Sequence, residues 1–337
     1  MIGILPNRER KYYNRINPLV LYDDQDFLKR YRLSKNSYRF VHDTLHHHLE
    51  RNTNRSQSLS PMDQILSALR YYACGSFQIV VGDTYGLSQA SVNRAISSVS
   101  RALDIHWNEF VYFPVNMQEI RANKEGFYAL AGFPNVLGCV DGTHIPIMRP
   151  KEFEWQYVNR KFYHSINVQG VCDFKGQFIN MVVRHPGSTH DSFILRNSLL
   201  WNYMENRPDS GYLLGDSAYP CKPWLMTPLQ NLRIRSERNY NYSHKRTRVL
   251  IENTFGRWKR RFPVLQFPNR RSLENAAYDI RATAILHNIC IQRNDPLPDE
   301  DENQDLDNND GPPVPQQPVD QSGNVHRLYL INNVFNR

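Results

Sequence analysis

Apolar residues recur at helical spacing through the first third of the chain and give way to strand-like runs after about residue 133. Tyr38, Val41, Leu45 and Leu49 predict a helix over residues 37–50. Ser60 can cap, Pro61 suits a first helical position, and Asp63 completes a capping box ahead of Ile65, Leu66, Leu69 and Tyr72. After Gly75 a second, short helix runs through Ile79 and Val80 towards Gly86 and Leu87. Ser88 then caps a third, whose apolar face is Val92, Ala95, Ile96, Val99 and Leu103, spaced i, i+3, i+4, i+7, i+11. Gln89, Asn93, Arg94, Ser97 and Ser98 are left mostly facing outward. A short helix, a glycine-containing turn and a helix with amide, hydroxyl and arginine side chains outside is how a helix-turn-helix reads bases in the major groove. A three-helix packing unit that binds no DNA has the same periodicity.

Residues 136–140 form a short apolar run of the central-strand kind, ending at Asp141-Gly142-Thr143. Ile166, Val168, Gly170 and Cys172 alternate with Asn167, Gln169 and Val171. A turn at Asp173-Phe174-Lys175-Gly176 follows, leading into a strand over 178–183, which predicts a hairpin. Residues 185–188 read as a loop, and Asp191 falls near the start of a helix through Phe193, Ile194 and Leu199. A fourth strand over 212–215 ends at Asp216, and helices follow over 249–261 and 275–292. Strands interleaved with helices give an α/β unit with a mixed sheet. Residues 294–325 are acidic and rich in Pro, Asn and Gln, a composition that cannot bury enough apolar area to order itself, so disorder is expected there. Leu328, Leu330, Ile331 and Val334 then form an apolar cluster able to dock on the body or on a partner.

Charge sharpens this picture. The net charge is +8, but eight acidic and no basic residues lie between Asp295 and Asp310, which leaves +16 on the remainder. A surplus of that size, clustered over 233–248 and 257–261, favours a polyanionic partner such as nucleic acid, although a solvated charged face is the bland alternative. No run reaches the roughly 18 apolar residues of a membrane span, and residues 1–17 are polar and basic, unlike a secretory signal. Five scattered cysteines without a CxxC pair argue against a disulfide or zinc framework and read as buried thiols.

The candidate chemistry rests on carboxylates. Asp141 and Asp216 each follow a predicted strand, and in α/β sheets ligand-binding groups gather at strand ends. Glu252 lies on a helix whose apolar stripe is Ile251, Phe255, Trp258 and Phe262. At about 100° per residue, Glu252, Gly256 and Lys259 share a neighbouring face, with Arg257 and Arg260 farther round. Three carboxylates from two strand ends and a helix suit paired hard cations, which can activate a water or a 3′-hydroxyl for in-line phosphodiester displacement. Asp191, beside His190, is either a fourth carboxylate near the metal or a helix cap.

An ordered set of short segments resembles the PIF/Harbinger superfamily of transposases from about Ser60 to Arg293. It includes Gly75-Ser76-Phe77-Gln78, residues 86–92, residues 137–145, residues 157–161, Pro186-Gly187-Ser188 with His190-Asp191, Leu214-Gly215-Asp216-Ser217, residues 224–228, residues 251–255 and Leu286-His287-Asn288-Ile289. The resemblance implies an RNase H-like catalytic domain whose acidic triad matches Asp141, Asp216 and Glu252, the last two separated by 35 residues without a large insertion. The expected fold class is therefore α/β, with an RNase H-like nuclease domain over 131–293. Ahead of it lie an arm and helix over 1–58 and an all-helical helix-turn-helix region over 59–130, and an acidic tail over 294–337 follows.

The expected function is cutting transposon-end DNA and joining it to target DNA with two Mg²⁺ or Mn²⁺ ions. Asp141, Asp191, Asp216 and Glu252 are the candidate ligands, and Gln89, Asn93, Arg94, Lys161, Lys259 and Arg260 are the candidate DNA contacts. The alternative is a transposase-derived DNA-binding or adaptor protein without cleavage. The resemblance also implies a nuclear site of action and a separate Myb-like helper protein, with a cytoplasmic location without that helper; a homodimer or higher oligomer is a further partner expectation, and the lack of an apolar span leaves no membrane partner. Trp258-Lys259-Arg260-Arg261 looks like an import signal, but its place on the catalytic helix favours a structural or DNA-contacting role.

Overall fold

The computed structural model describes residues 17–51, 58–298 and 320–336. The predicted N-terminal arm up to residue 16 and residues 299–319 of the predicted acidic tail lie outside the described residues. Helices α1 (Pro18–Leu21), α2 (Asp24–Tyr31) and α3 (Lys35–Leu49) start at side-chain caps from Asn17, Asp23 and Ser34. In α4 (Pro61–Cys74) the predicted capping box of Ser60 and Asp63 is formed. Helix α5 (Gln78–Tyr85) turns at Gly86, with φ of 62°, into α6 (Gln89–Ile105), capped by Ser88. That left-handed conformation is open to glycine at little cost. The predicted face of α6 is buried, and Gln89, Asn93 and Arg94 are exposed. Helices α7 (Trp107–Phe110) and α8 (Met117–Ala131) lead to the sheet.

Five strands lie in the order β3-β2-β1-β4-β5. Strands β1 (Val136–Pro146), β2 (Ser165–Cys172) and β3 (Phe178–Pro186) are antiparallel neighbours, with α9 (Glu154–Tyr157) inside the β1–β2 connection. After α10 (Asp191–Arg196) and α11 (Leu199–Glu205), β4 (Tyr212–Leu214) pairs parallel to β1, and β5 (Leu225–Met226) extends the parallel side. Helices α12 (Arg235–Arg261), α13 (Leu273–Gln292) and α14 (Gln321–Asn333) complete the chain.

The sheet is covered on both faces, which is why β1 opens with an apolar run and β2 is buried along its whole length, polar Asn167 and Gln169 included. One face joins a cluster containing Cys139, Val168, Phe178, Ile251, Phe255 and Trp258. The other packs Leu137, Val140 and Leu213 against Leu195, Leu200 and Met204 of α10 and α11. Among the described residues no helix is long and apolar enough to cross a membrane.

Several boundaries differ from the sequence expectation. Strand β1 continues past Asp141 to Pro146, because β2 keeps pairing with it through Pro146↔Ser165. The helix expected over 249–261 begins fourteen residues earlier, at Arg235, since its charged first half still buries Tyr240, His244 and Thr247. The single helix expected from Asp191 through Leu199 breaks into α10 and α11, where Ser198 caps the second. The two-residue β5 has no apolar run to announce it.

The disorder expected through residue 325 fails at Gln321, where Asp320 caps α14. Leu330 and Ile331 of α14 are buried in the main core, so the predicted terminal apolar cluster docks on the body, while Leu328 stays exposed. The five cysteines are free thiols, four of them buried and Cys74 half-buried.

Candidate active site

The register of the parallel pair brings the first two carboxylates together. Cys139 of β1 pairs with Leu214 of β4, and neither strand pairs further along that seam. Asp141 and Asp216 each stand two residues beyond that last pair, so the period of two places them on the same side of an opening seam. Asp141 is thus at a strand end on the β4 side only, and within a strand on the β2 side.

Asp191 closes the group from a third direction. A Cβ built on Gly142 would lie 2.3 Å from Asp191 Oδ1, so the absence of a side chain at Gly142 lets this carboxylate rest on the backbone beside Asp141. Asn167 Nδ2 donates to Asp191 Oδ1 at 2.7 Å, and Gln169 Nε2 donates to the Asp191 carbonyl at 2.9 Å. The N-cap of α10 is His190, and no side chain caps the helix. The capping alternative for Asp191 is thereby removed.

Glu252 reaches the group through Arg248, one helical turn before it on α12. Arg248 Nη1 donates to Asp141 Oδ2 at 2.9 Å, and Arg248 Nη2 donates to Glu252 Oε1. Burial pushes the Asp141 carboxyl up to about 7; Arg248 opposes this shift, while Asp216 and Asp191 reinforce it. Asp191 and Asp216 are also raised, chiefly by burial, with Asn167 countering the first and Arg248 the second. One guanidinium therefore offsets part of the repulsion in a crowded acidic group. Among the described residues no cluster of three or more His, Cys, Asp or Glu side chains is drawn tightly enough to hold a metal ion. The donor set is nonetheless right in kind, all hard carboxylate oxygens, and Arg248 shows that Asp141 and Glu252 together accept a cation.

A cationic group lies alongside. Lys259 Nζ donates to the His144 carbonyl at 3.1 Å and is pushed down to about 8 by burial and by nearby Lys161. His144 is pushed down to about 4 by burial and by Lys259, Arg160 and Lys161. Cations held this close favour an anion between them. Of the three residues expected as phosphate contacts, Lys161 and Lys259 influence one another here, whereas the Arg260 guanidinium Nε is buried and without a hydrogen-bond partner among the described residues. Gln89, Asn93 and Arg94 sit on α6, away from the carboxylates; Asn93 Oδ1 accepts from Gln78 Nε2 at 3.2 Å. Sequence reasoning missed Arg248, Asn167 and Arg160. Arg248 carried a usable signal, its i,i+4 spacing to Glu252, visible once the helix is extended.

Comparison with known proteins accords with this geometry. The DDE superfamily endonuclease family matches residues 140–288, a span that contains all four carboxylates. The proteins named "Putative nuclease HARBI1" from Bos taurus and Homo sapiens are each 37% identical over 273 residues, covering 80% of this chain and 78% of theirs. "Protein ALP1-like" of Arabidopsis thaliana is 27% identical over 260 residues, 70% of this chain and 62% of its own length. No solved structure matches the chain. Carried by identity over most of its length and by the endonuclease match across the carboxylate group, the chain belongs to the Harbinger transposase-derived nuclease family typified by HARBI1, within the DDE endonuclease superfamily.

Proposed function

We infer that the chain is a metal-dependent DNA endonuclease of the cut-and-paste transposase type, which cuts transposon-end DNA and joins it to target DNA. The observation that carries this reading is the juxtaposition of Asp141 and Asp216 at the opening β1–β4 seam, with Asp191 behind and Glu252 linked through Arg248. The order β3-β2-β1-β4-β5, antiparallel on one side of β1 and parallel on the other, supports an RNase H-like domain. DDE endonucleases use divalent metals. Two ions bound here would activate the attacking oxygen and stabilise the leaving one.

Asp141, Asp216 and Glu252 would hold those ions, with Asp191, oriented by Asn167, completing the oxygen donors. With ions held by Asp141 and Glu252, Arg248 would no longer pair with them, and its charge would be available to a phosphate. Lys161 and Lys259 supply a second phosphate contact. Nuclear action, a Myb-like helper and self-association belong to the same reading. Mg²⁺-dependent cleavage of matched terminal-repeat DNA tests it. Stable DNA binding without cleavage would instead establish the adaptor alternative.

Two predictions arise here. Asp191→Asn should raise the Mg²⁺ concentration needed for cleavage, while its melting temperature without metal stays equal or rises, because it removes a like charge beside Asp141 and Asp216 and keeps the oxygen that accepts from Asn167. An unchanged Mg²⁺ titration removes Asp191 from the metal site.

The segment α5-Gly86-Leu87-α6, with Gln89, Asn93 and Arg94 outward, supports a helix-turn-helix. Affinity for DNA should fall steeply with salt, since cations that neutralise phosphates release counterions. Asn93→Ala with Arg94→Ala should weaken the preference for terminal-repeat DNA more than binding to unrelated DNA, as measured by competition. An equal loss on both would show that α6 does not read bases.

A further inference from the structure

The connection between β1 and β2 ends in a tight hairpin over residues 158–164, closed by a bridge between Val158 and His164. Phe162 N donates to the Asn159 carbonyl at 2.9 Å, and Asn159 N donates to the Tyr163 carbonyl at 3.0 Å. This is a turn followed by one residue in the left-handed conformation, a position that glycine or asparagine normally fills. Phenylalanine fills it here, with φ of 62°. Phe162 is 89% exposed, so its side chain gains little packing among the described residues to repay the strain. A strained backbone carrying an exposed aromatic points to a role outside the fold.

The hairpin is hydrogen-bonded to segments that flank the carboxylate group. Asn159 Nδ2 donates to Ser165 Oγ at 3.0 Å, and Asn159 Oδ1 accepts from Lys161 N at 2.9 Å. Ser188 N donates to the Gln156 carbonyl at 2.9 Å, and Arg160 Nη2 donates to His190 Nδ1 at 2.9 Å, which ties the tip to the segment entering Asp191. Arg160 thus reaches His190, the neighbour of Asp191, and Lys161 follows it at the tip of a hairpin that Asn159 and Ser165 link to His144, whose carbonyl accepts from Lys259. Trp155 and Phe153, 72% and 66% exposed, lie on the same connection.

Charge complementarity selects the occupant. The cations Arg160, Lys161 and Lys259 lie beside the site, and among the described residues no ion pair offsets Lys161 or Lys259, so an anionic backbone can settle there with its base against the adjoining ring. A base can reach an isolated exposed ring face only if it is not stacked within a duplex. We propose that Phe162 is a stacking platform for an unpaired nucleobase whose phosphate lies at Lys161 and Lys259, so that the favoured DNA carries unpaired nucleotides beside the cut. The proposal rests on the carboxylate group being a DNA-cutting centre.

The test measures binding, so that it is separable from cleavage. The full chain, in buffer containing Ca²⁺, is titrated by fluorescence anisotropy into blunt duplex and into the same duplex with a short single-stranded overhang carrying 2-aminopurine. The wild-type chain should prefer the overhang DNA by about tenfold, the effect of one base on one aromatic, with a change in 2-aminopurine emission. Phe162→Leu, which keeps apolar bulk without a π face, should lose both; Phe162→Trp should keep both. Phe162→Gly should lose both while melting at an equal or higher temperature, because it relieves the left-handed strain, so that loss cannot be ascribed to misfolding.

Equal affinity of the wild-type chain for the two DNAs, or a preference that survives in Phe162→Leu, overturns the proposal. So does a Phe162→Leu chain with unchanged DNA preference but reduced self-association in sedimentation, which would make the tip a contact between copies. A chain that shows the Phe162-dependent preference yet never cleaves with Mg²⁺ would sustain stacking and defeat the nuclease reading. Cleavage without the preference would do the reverse.

Discussion

Asp141→Asn, Asp216→Asn and Glu252→Gln are each expected to abolish Mg²⁺-dependent DNA cleavage, by about a thousandfold or more, while leaving DNA affinity within a few-fold of the unmodified chain. The size of the effect follows from what a bound divalent ion contributes to phosphodiester displacement, several kcal/mol of transition-state charge stabilisation, each 1.4 kcal/mol being about tenfold in rate. Each substitution removes one ligand charge with almost no change in volume. Asp141→Asn keeps a side-chain oxygen that can accept from Gly142 N, as Asp141 Oδ1 does at 2.9 Å. Glu252 is exposed on α12, so Glu252→Gln has little to disturb in the core. The DNA contacts proposed on α6 and at Lys161 lie outside the triad and should hold the substrate. The measurement is the single-turnover cleavage rate beside equilibrium binding. Undiminished cleavage by any of the three variants would falsify the triad assignment, and loss of binding in parallel would mean that the fold, and not the metal site, had been lost.

The second large effect is on stability. Arg271 and Asp279 form a buried ion pair, Nη1 to Oδ1 at 2.7 Å, with side-chain exposures of 3% and 0%. Around it Ser100 Oγ donates to Asp279 Oδ1 at 2.8 Å, Arg271 Nη2 donates to Ser97 Oγ at 2.6 Å, and the Tyr72 hydroxyl lies 2.6 Å from Ser100 Oγ. The network ties α4 and α6 to α13, joining the helical part to the sheet. Arg271→Met should cost about 3–5 kcal/mol, because it leaves a buried carboxylate without its cation.

Burial already holds the Asp279 carboxyl at about 6 despite Arg271, above its unfolded value. Such a group favours the folded state at low pH, and that contribution is lost as pH rises through the folded value. Removing Arg271 lifts the folded value further. The loss in Arg271→Met should therefore be larger at pH 8 than at pH 5, in urea denaturation midpoints followed at both. Adding Asp279→Leu to Arg271→Met should recover much of it, since apolar replacement of a whole buried pair is commonly tolerated. A loss independent of pH, or no recovery, would place the effect in packing.

Local interactions made part of this protein legible from its residues. The capping box at Ser60 and Asp63, the apolar face of α6, and the stripe Ile251, Phe255, Trp258 and Phe262 all depend on neighbours within one or two turns, and their periodicity records which side meets the core. The hairpin of β2 and β3 was equally local, since its turn residues write its geometry. Asp141, Asp216 and Glu252 were identified as a set from their residue type, from the elements expected to carry them, and from an ordered resemblance.

Only tertiary structure decided the rest. Strand β1 runs past Asp141 because β2 supplies partners up to Pro146, and Asp141 opens towards Asp216 because β4 stops pairing at Leu214; neither limit is written in the β1 segment itself. The charged first half of α12 is helical because Tyr240, His244 and Thr247 find a core to enter. Asp191 could have been a cap from sequence, and became part of the acidic group because Gly142 leaves room for its carboxylate. Arg248 joins Asp141, 107 positions before it in sequence, to Glu252. Sequence patterns encode what a segment needs to bury and how its own ends are satisfied, but which distant charges share a desolvated space depends on how separate elements meet, and the chemistry of this site is set there.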